Sequence, residues 1–190
     1  YLNLPFFFIR FAFFVGILMT LIFLLRRDSK LEDQNGGLSY YKANLKWASL
    51  FLLFFAVYIL VTAWDWVMSL DMHWYSTMFG WYSFASFWVS GIAVITLVVI
   101  YVKRRGYLAV VNENHLHELG IMMFAFSIFW TYVTFCQFML IWYANIPEET
   151  EYYLMRAQHG WTLVSVGLLV FRFVVPFLAL LPMPWLARDQ

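Results

Sequence analysis

The sequence contains little charge: Asp, Glu, Lys and Arg make up 12% of its 190 residues, about half the share of a soluble domain. The net charge is +1, and the cations lie between hydrophobic runs and not in a basic patch for nucleic acid. Apolar residues take the place of charge, since 64% of the residues are hydrophobic and 23% are aromatic. This composition excludes a soluble domain and predicts an integral membrane protein.

Cysteine and histidine are also scarce, which limits metal chemistry. The single cysteine, Cys136, lies within an apolar run, so neither a disulfide framework nor a thiolate cluster is expected. All four histidines lie at the ends of hydrophobic runs, whereas a membrane-embedded b-type haem needs axial ligands at depth. Methionines surround His73, but packing at the interface explains them better than copper. We therefore expect no redox metal in this chain.

Five apolar runs are each long enough to cross a bilayer, which takes about 20 helical residues. Helices are expected because a lone strand leaves its backbone unpaired in lipid, and the runs lack the period of two of barrel strands. The predicted class is an all-α integral membrane protein. Its spans are 4–25, 45–70, 78–102, 119–143 and 161–181.

The placement of Lys and Arg orients these spans. With five spans, nine cations lie on one side, the predicted cytoplasm: Arg26, Arg27, Lys30, Lys42, Lys46, Lys103, Arg104, Arg105 and Arg188. The N-terminus is therefore predicted outside and the C-terminus inside. A polar loop at 28–44 lies on the cytoplasmic side, and the acidic segment NIPEETEYY lies outside. Trp and Tyr residues in 64–82 and at 142–143 then form an aromatic belt at the outer interface.

Polar residues recur at helical spacing in spans two to five. Residues three, four or seven apart share a helix face, so each span is predicted to carry one polar stripe facing into a four-helix bundle. The stripes are Tyr58, Thr62, Asp65 and Ser69; Ser83, Ser86 and Ser90; Ser127, Thr131, Thr134 and Gln137; and Thr162, Ser165 and Arg172. For the hydroxyls alone, close helix packing is the favoured explanation.

Ionisable residues within the spans are harder to explain by packing. Arg172 lies roughly 17 Å inside the outer end of its span, near the bilayer centre, where a charge costs at least about 2.5–3.5 kcal/mol. Gln137 lies at comparable depth, and Asp65, roughly 7–8 Å inside, is a candidate acid partner. Such a pair is typical of proton relays, and a pair that only fixes helix register is the equal alternative. Arg10, near the outer end of span one, is expected to snorkel to the headgroups.

Three segments together resemble one family: DWVMSLDMHWYSTMFGWY, NHLHELGIMMFAFSIFWTY and QFMLIWYANIPEETEYY. They are similar to the large membrane subunits of bacterial alternative complex III, a quinol:cytochrome c oxidoreductase, within the wider polysulfide-reductase-like (NrfD-type) family. The resemblance covers most of residues 58–156. It implies roughly ten spans in two four-helix bundles. Because the chain begins at Tyr1 without Met or a signal peptide, we expect it to be the C-terminal half of such a subunit.

That complex has two paralogous membrane subunits, and this sequence is more similar to the F type, which has no demonstrated redox centre. The quinol-binding C type has an acid where this sequence has Gln137. The resemblance implies a proton-conducting subunit of the bacterial cytoplasmic membrane without a cofactor of its own. Haem c and iron–sulfur clusters would lie in its partners. These are a multihaem cytochrome, an iron–sulfur protein, the quinol-binding paralogue, a monohaem cytochrome and, in some organisms, a terminal oxidase.

Carried onto this sequence, the resemblance predicts a proton path and no catalytic residue. Its outer exit would be formed by Asp65, Asp71 and His73, with His159 at the same mouth. Its cytoplasmic entry would be Glu118 with His115 and His117, although a solvated helix start is the favoured explanation of that segment. Arg172 and Gln137 would lie between the two mouths.

Three other functions stay open. The chain is alternatively a structural scaffold that docks partners and lipids. It is alternatively the quinone-binding subunit itself, with the ring held by outer aromatics near Asp65 or His73. A secondary transporter ranks last, because such proteins have broken helices at mid-depth, and no span has a central Gly or Pro break beyond Pro176.

Overall fold

The computed structural model describes residues 3–36, 38–71, 73–158 and 160–181. Within these ranges the regular structure is entirely helical, with no strand, which confirms the predicted class. Five helices there are long and apolar enough to cross a membrane, as in a multi-pass membrane protein: Leu4–Asn35, Leu38–Leu70, Met78–Arg104, Glu113–Ala144 and Trp161–Leu180. The chain divides into an N-terminal unit, Tyr1–Leu70, and a C-terminal unit, Asp71–Gln190.

The N-terminal unit is a hairpin of two long helices. Helix α1 (Leu4–Asn35) has Pro5 in its first turn, where a missing N–H costs nothing. It continues well past the predicted span, because the polar segment after Leu25 contains good helix formers and no breaker before Gly36. Gly36 ends α1 with a φ of 65°, which glycine adopts without strain. The prediction of a long polar loop at 28–44 is therefore wrong.

Helix α2 (Leu38–Thr62) continues into a π-helix (Ala63–Val67) and a 3₁₀ turn (Met68–Leu70). Aromatic rings pack α1 against the second helix of the hairpin. The ring centroids of Phe7 and Trp66 are 5.2 Å apart, and those of Phe14 and Tyr58 are 5.7 Å apart. These contacts place the beginning of α1 beside the end of the second membrane helix.

The C-terminal unit contains two long helices and two further helical segments. Helices α3 (Met78–Arg104) and α4 (Glu113–Ala144) are followed by the short α5 (Pro147–Arg156), which the sequence did not predict. Pro147 and two glutamates in the first turn of α5, and an arginine in its last, suit the ends of a helix dipole. Helix α6 (Trp161–Leu169), a π-helix (Val170–Val174) and α7 (Val175–Leu180) form the last membrane helix.

Small residues bring α3 and α4 together. Ser83, Ala85 and Ser127 are buried, and such residues let membrane helices approach closely. The hydroxyls of Ser127, Thr131 and Thr134 each donate to a carbonyl of the preceding turn, so they are satisfied within α4. The polar stripes of α3 and α4 thus serve packing in this region. Ser90 is exposed in this unit, so the inward prediction fails there.

Candidate functional site

A buried ion pair joins α1 to the end of the second membrane helix. Arg10 Nε donates to Asp65 Oδ2 at 2.7 Å, and Nη2 donates to Oδ1 at 2.6 Å, the bidentate form of such a pair. The two side chains are only 11% and 6% exposed. Arg10 lies about 9 Å along the helix from Leu4, and Asp65 about 7.5 Å from Leu70, which matches their depths in the hairpin.

This pair corrects two predictions. Arg10 does not snorkel, because its guanidinium is held by a carboxylate at its own depth. Both oxygens of Asp65, the predicted partner of Arg172, accept from Arg10. The predicted burial of Asp65 is confirmed, and its part in a proton path stays a prediction.

Asp65 and Arg172 occupy equivalent places in their helices. Each is the middle residue of a five-residue π-helix, Ala63–Val67 and Val170–Val174. π-Helical turns are rare and occur frequently at functional sites. They also change the angular step between residues, so a stripe inferred from α-helical spacing cannot be extended through them. No residue pattern in the sequence signals either π-helix.

The guanidinium of Arg172 lies against an aromatic ring. Its central carbon is 5.6 Å from the ring centroid of Trp130, and among the described residues Arg172 has neither an ion pair nor a hydrogen bond. A cation–π contact contributes about 0.5–2 kcal/mol. A charge at mid-membrane costs at least about 2.5–3.5 kcal/mol, so the ring alone does not offset it.

Gln137 lies at the wall of a large cavity in the C-terminal unit. This cavity, of about 870 Å³, lies between α4, α5 and α6. Gln137 is 4% exposed, and its amide nitrogen is buried with no hydrogen-bond partner among the described residues. The lining is mostly aromatic and hydroxyl-bearing, and it includes Tyr82, Trp130, Thr134, Trp142, Tyr152, Tyr153, Thr162 and Ser165. Aromatic walls with a few polar groups are typical of small-molecule sites.

The structure does not bring Gln137 and Arg172 into contact. Trp130 is close to both, since it lines the cavity with Gln137 and its ring lies under the guanidinium of Arg172. Trp130 and Gln137 are seven residues apart on α4, about 10.5 Å along the helix on the same face. The prediction that Gln137 and Arg172 both lie on a proton path between the two mouths stays a prediction.

A stack of rings lies beside the cavity, near α5. The rings of Trp74 and Tyr152 lie parallel with centroids 3.9 Å apart, and the guanidinium carbon of Arg156 is 3.3 Å from the Tyr152 centroid. Trp74 is buried, although the sequence placed it in an interfacial belt. Trp at a membrane interface and Trp in a loop core have the same sequence signal, so the pattern could not separate them.

The phenols of α5, which lies outside the membrane-spanning helices, stay protonated at neutral pH. Burial raises the pKa of Tyr152 to about 12, with Arg156 acting in the opposite direction. Burial also raises the pKa of Tyr153, and the neighbouring Tyr152 adds to this shift. Both phenols are therefore hydrogen-bond donors at this end of the cavity. In the sequence, both tyrosines belong to the acidic segment NIPEETEYY, which gives no sign of this role.

The remaining predicted path residues do not form one cluster. Asp71 Oδ1 accepts from the backbone N–H of His73 at 3.3 Å, a local turn contact, and the side chain of His73 is exposed. Glu118 is exposed near the start of α4, where His115 forms a capping box with Asn112, as a helix start requires. His159 lies outside the described residues.

Comparison with family models and with curated protein sequences yields no relative. Within the described residues, no group of three His, Cys, Asp or Glu side chains could hold a metal ion. The site therefore consists of the Arg10–Asp65 pair in one unit, and the Gln137 cavity with the nearby Arg172 in the other. No protein-family model matches the chain, and no curated protein sequence matches it.

Proposed function

We propose that this chain is a cofactor-free membrane subunit of a respiratory quinol:cytochrome c oxidoreductase of the alternative complex III type, in the bacterial cytoplasmic membrane. Its role in that complex is to contribute a proton path. Quinol oxidation itself would occur on partner subunits that carry haem c and iron–sulfur clusters. The three family-like sequence segments support the assignment to the complex, and the buried charges support the role.

The observation that carries the proton role is the Arg10–Asp65 pair. Ionisable residues within membrane helices are costly and are typical of proton and ion pathways. Both oxygens of Asp65 accept from Arg10, so a proton that binds the carboxylate removes the charge that holds the guanidinium in place. The pair would therefore act as a gate that a proton passes by displacing the guanidinium.

Thr62 offers a polar contact next to this gate. Its hydroxyl is buried and has no hydrogen-bond partner among the described residues, three positions before Asp65. A buried polar group without a protein partner is where an ordered water is expected. A water at Thr62 would be the neighbour that delivers protons to Asp65 or receives them.

The test is the number of protons released per quinol oxidised by the whole complex in sealed vesicles. A double variant, Arg10→Gln with Asp65→Asn, keeps a hydrogen-bonded pair but removes both charges and the titratable group. We expect it to assemble, to oxidise quinol, and to release fewer protons, approaching the yield of quinol chemistry alone. Thr62→Val should also lower the number of protons released per quinol, without disturbing the Arg10–Asp65 pair.

Two controls separate conduction from a structural role. Asp33→Asn removes an exposed carboxylate from α1 and should leave the proton yield at the wild-type value. An assembled double variant with an unchanged yield would contradict the proton path. Loss of assembly in the double variant, with a full yield in Thr62→Val, would support the scaffold function instead.

Quinone binding by this chain is the second candidate, favoured by the Gln137 cavity. Its aromatic walls suit a flat ring, and the amide of Gln137 suits a carbonyl oxygen. An amide cannot take the proton that quinol oxidation releases. The cavity would therefore bind a quinone without oxidising its quinol, which is why this function ranks second.

Quinone binding can be followed by quenching of tryptophan fluorescence, because Trp130 and Trp142 line the cavity. Gln137→Leu removes one neutral hydrogen bond, worth about 0.5–1.5 kcal/mol, so the affinity should fall roughly 2- to 13-fold. Thr131→Val is the matched control, because Thr131 lies on the same helix outside the cavity lining and its hydroxyl already donates to the carbonyl of Ser127. Equal affinities of Gln137→Leu and the wild type would exclude this site.

A further inference from the structure

The last membrane helix, Trp161–Leu180, has an exposed apolar surface that also carries the charged Arg172. None of its most apolar window is buried within the chain. Exposed apolar residues such as Leu163, Phe171 and Val175 would suit lipid tails. Arg172 lies among them, and lipid tails offer no hydrogen-bond acceptor to a guanidinium.

The position of Arg172 is fixed by the ring beneath it. Trp130 is 2% exposed, and its indole N–H donates to Ser86 Oγ at 2.8 Å, so the ring cannot turn without breaking that bond. The guanidinium carbon lies 5.6 Å from the centroid of this ring. A ring contact leaves the five N–H donors of Arg172 available to an acceptor.

The acceptor that Arg172 needs is not among the described residues of the C-terminal unit, where its guanidinium contacts the ring of Trp130. Arg172 is about 17 Å from Trp161 and about 12 Å from Leu180 along the helix, so headgroup phosphates on either side are distant. The described carboxylates of the C-terminal unit lie in loops or near helix ends: Asp71, Glu113, Glu118, Glu148, Glu149 and Glu151. The carboxylate of Asp65 has both oxygens on Arg10.

We propose that the Arg172 face of this helix docks a transmembrane helix from outside these 190 residues, and that this helix carries an Asp or Glu at the depth of Arg172. Charge complementarity selects this partner, since a carboxylate accepts two parallel N–H bonds from a guanidinium. Intramembrane ionisable residues pair with one another in just this way. The docking does not depend on proton conduction.

Photo-crosslinking in the intact complex tests the docking with Arg172 in place. A benzophenone amino acid replaces Val175, the exposed residue one turn from Arg172, in cells that make the whole complex. We expect a crosslink to a membrane helix with an Asp or Glu within one turn of the attached residue. The same probe at Leu163, more than two turns away, should not label that acidic position.

Charge exchange then tests the pairing itself. Arg172→Glu should abolish the crosslink from position 175 to the acidic helix, and replacing the partner's acid with arginine in the same cells should restore it. Crosslinks from position 175 only to lipid, to an uncharged helix or to residues 1–70 would overturn the proposal. So would an undiminished crosslink to the acidic helix with Arg172→Glu.

Discussion

Replacing Asp65 with Asn should lower the free energy of unfolding of the N-terminal hairpin by about 3–5 kcal/mol, the cost of removing one member of a buried ion pair. Arg10 and Asp65 are 11% and 6% exposed and share two hydrogen bonds of 2.6–2.7 Å. The substitution keeps the side-chain shape but leaves the guanidinium charge facing a neutral amide. Loss of helical circular dichroism during titration with a denaturing detergent measures the change.

Two further variants separate the charge effect from a general loss of carboxylate. Asp33→Asn makes the same chemical change at an exposed position of α1 and should alter the unfolding free energy by no more than about 0.5 kcal/mol. Arg10→Met with Asp65→Leu replaces the pair by apolar residues of similar volume and should recover most of the loss. Equal midpoints for Asp65→Asn and Asp33→Asn would show that the pair does not stabilise the hairpin.

The helices could be predicted from the sequence because lipid leaves the backbone few alternatives. A run of apolar residues in a membrane must satisfy its N–H and C=O groups internally, and a helix does so. Hydropathy reports where lipid begins, however, and not where a helix stops. Helix α1 therefore runs on to Asn35, since helix formers after Leu25 continue it into water.

The Arg10–Asp65 ion pair could have been predicted from the sequence. Arg10 and Asp65 lie at similar depths from the same side of adjacent spans, and adjacent spans joined by a short turn are neighbours in space. Arg10 is also close enough to the outer end of its span to reach the headgroups, so its position fits a snorkelling residue as well as a paired one. The two π-helices were not accessible, because π-helical turns depend on local packing and have no composition signal in these spans.

The Gln137 cavity could not be predicted from the sequence either. Its walls come from α4, α5 and α6, and α5 lies in a segment whose charges indicated a loop. Gln137 could be identified because a buried amide in an apolar run is rare, but its neighbours depend on how α5 folds against α4. The contact of Trp74 with Tyr152 joins residues far apart in sequence, and no spacing rule predicts it.

The second large effect is expected at Trp130, which connects these features. Trp130→Ala should lower the free energy of unfolding of the C-terminal unit by about 3–5 kcal/mol, as for other buried aromatic residues cut to alanine. The ring is 2% exposed, its indole N–H donates to Ser86, and its face contacts the guanidinium of Arg172. Truncation therefore opens a void between α3 and α4 and removes the ring contact that Arg172 makes.

Trp142→Ala is the matched control, because Trp142 lies on the same helix and is 63% exposed. The same detergent titration should show a loss for Trp142→Ala well below that for Trp130→Ala, since an exposed ring leaves no void. Trp130→Phe should fall between the two, because it keeps a ring under Arg172 but loses the hydrogen bond to Ser86. If Trp130→Ala and Trp142→Ala were equally stable, Trp130 would not be the residue that holds α3, α4 and Arg172 together.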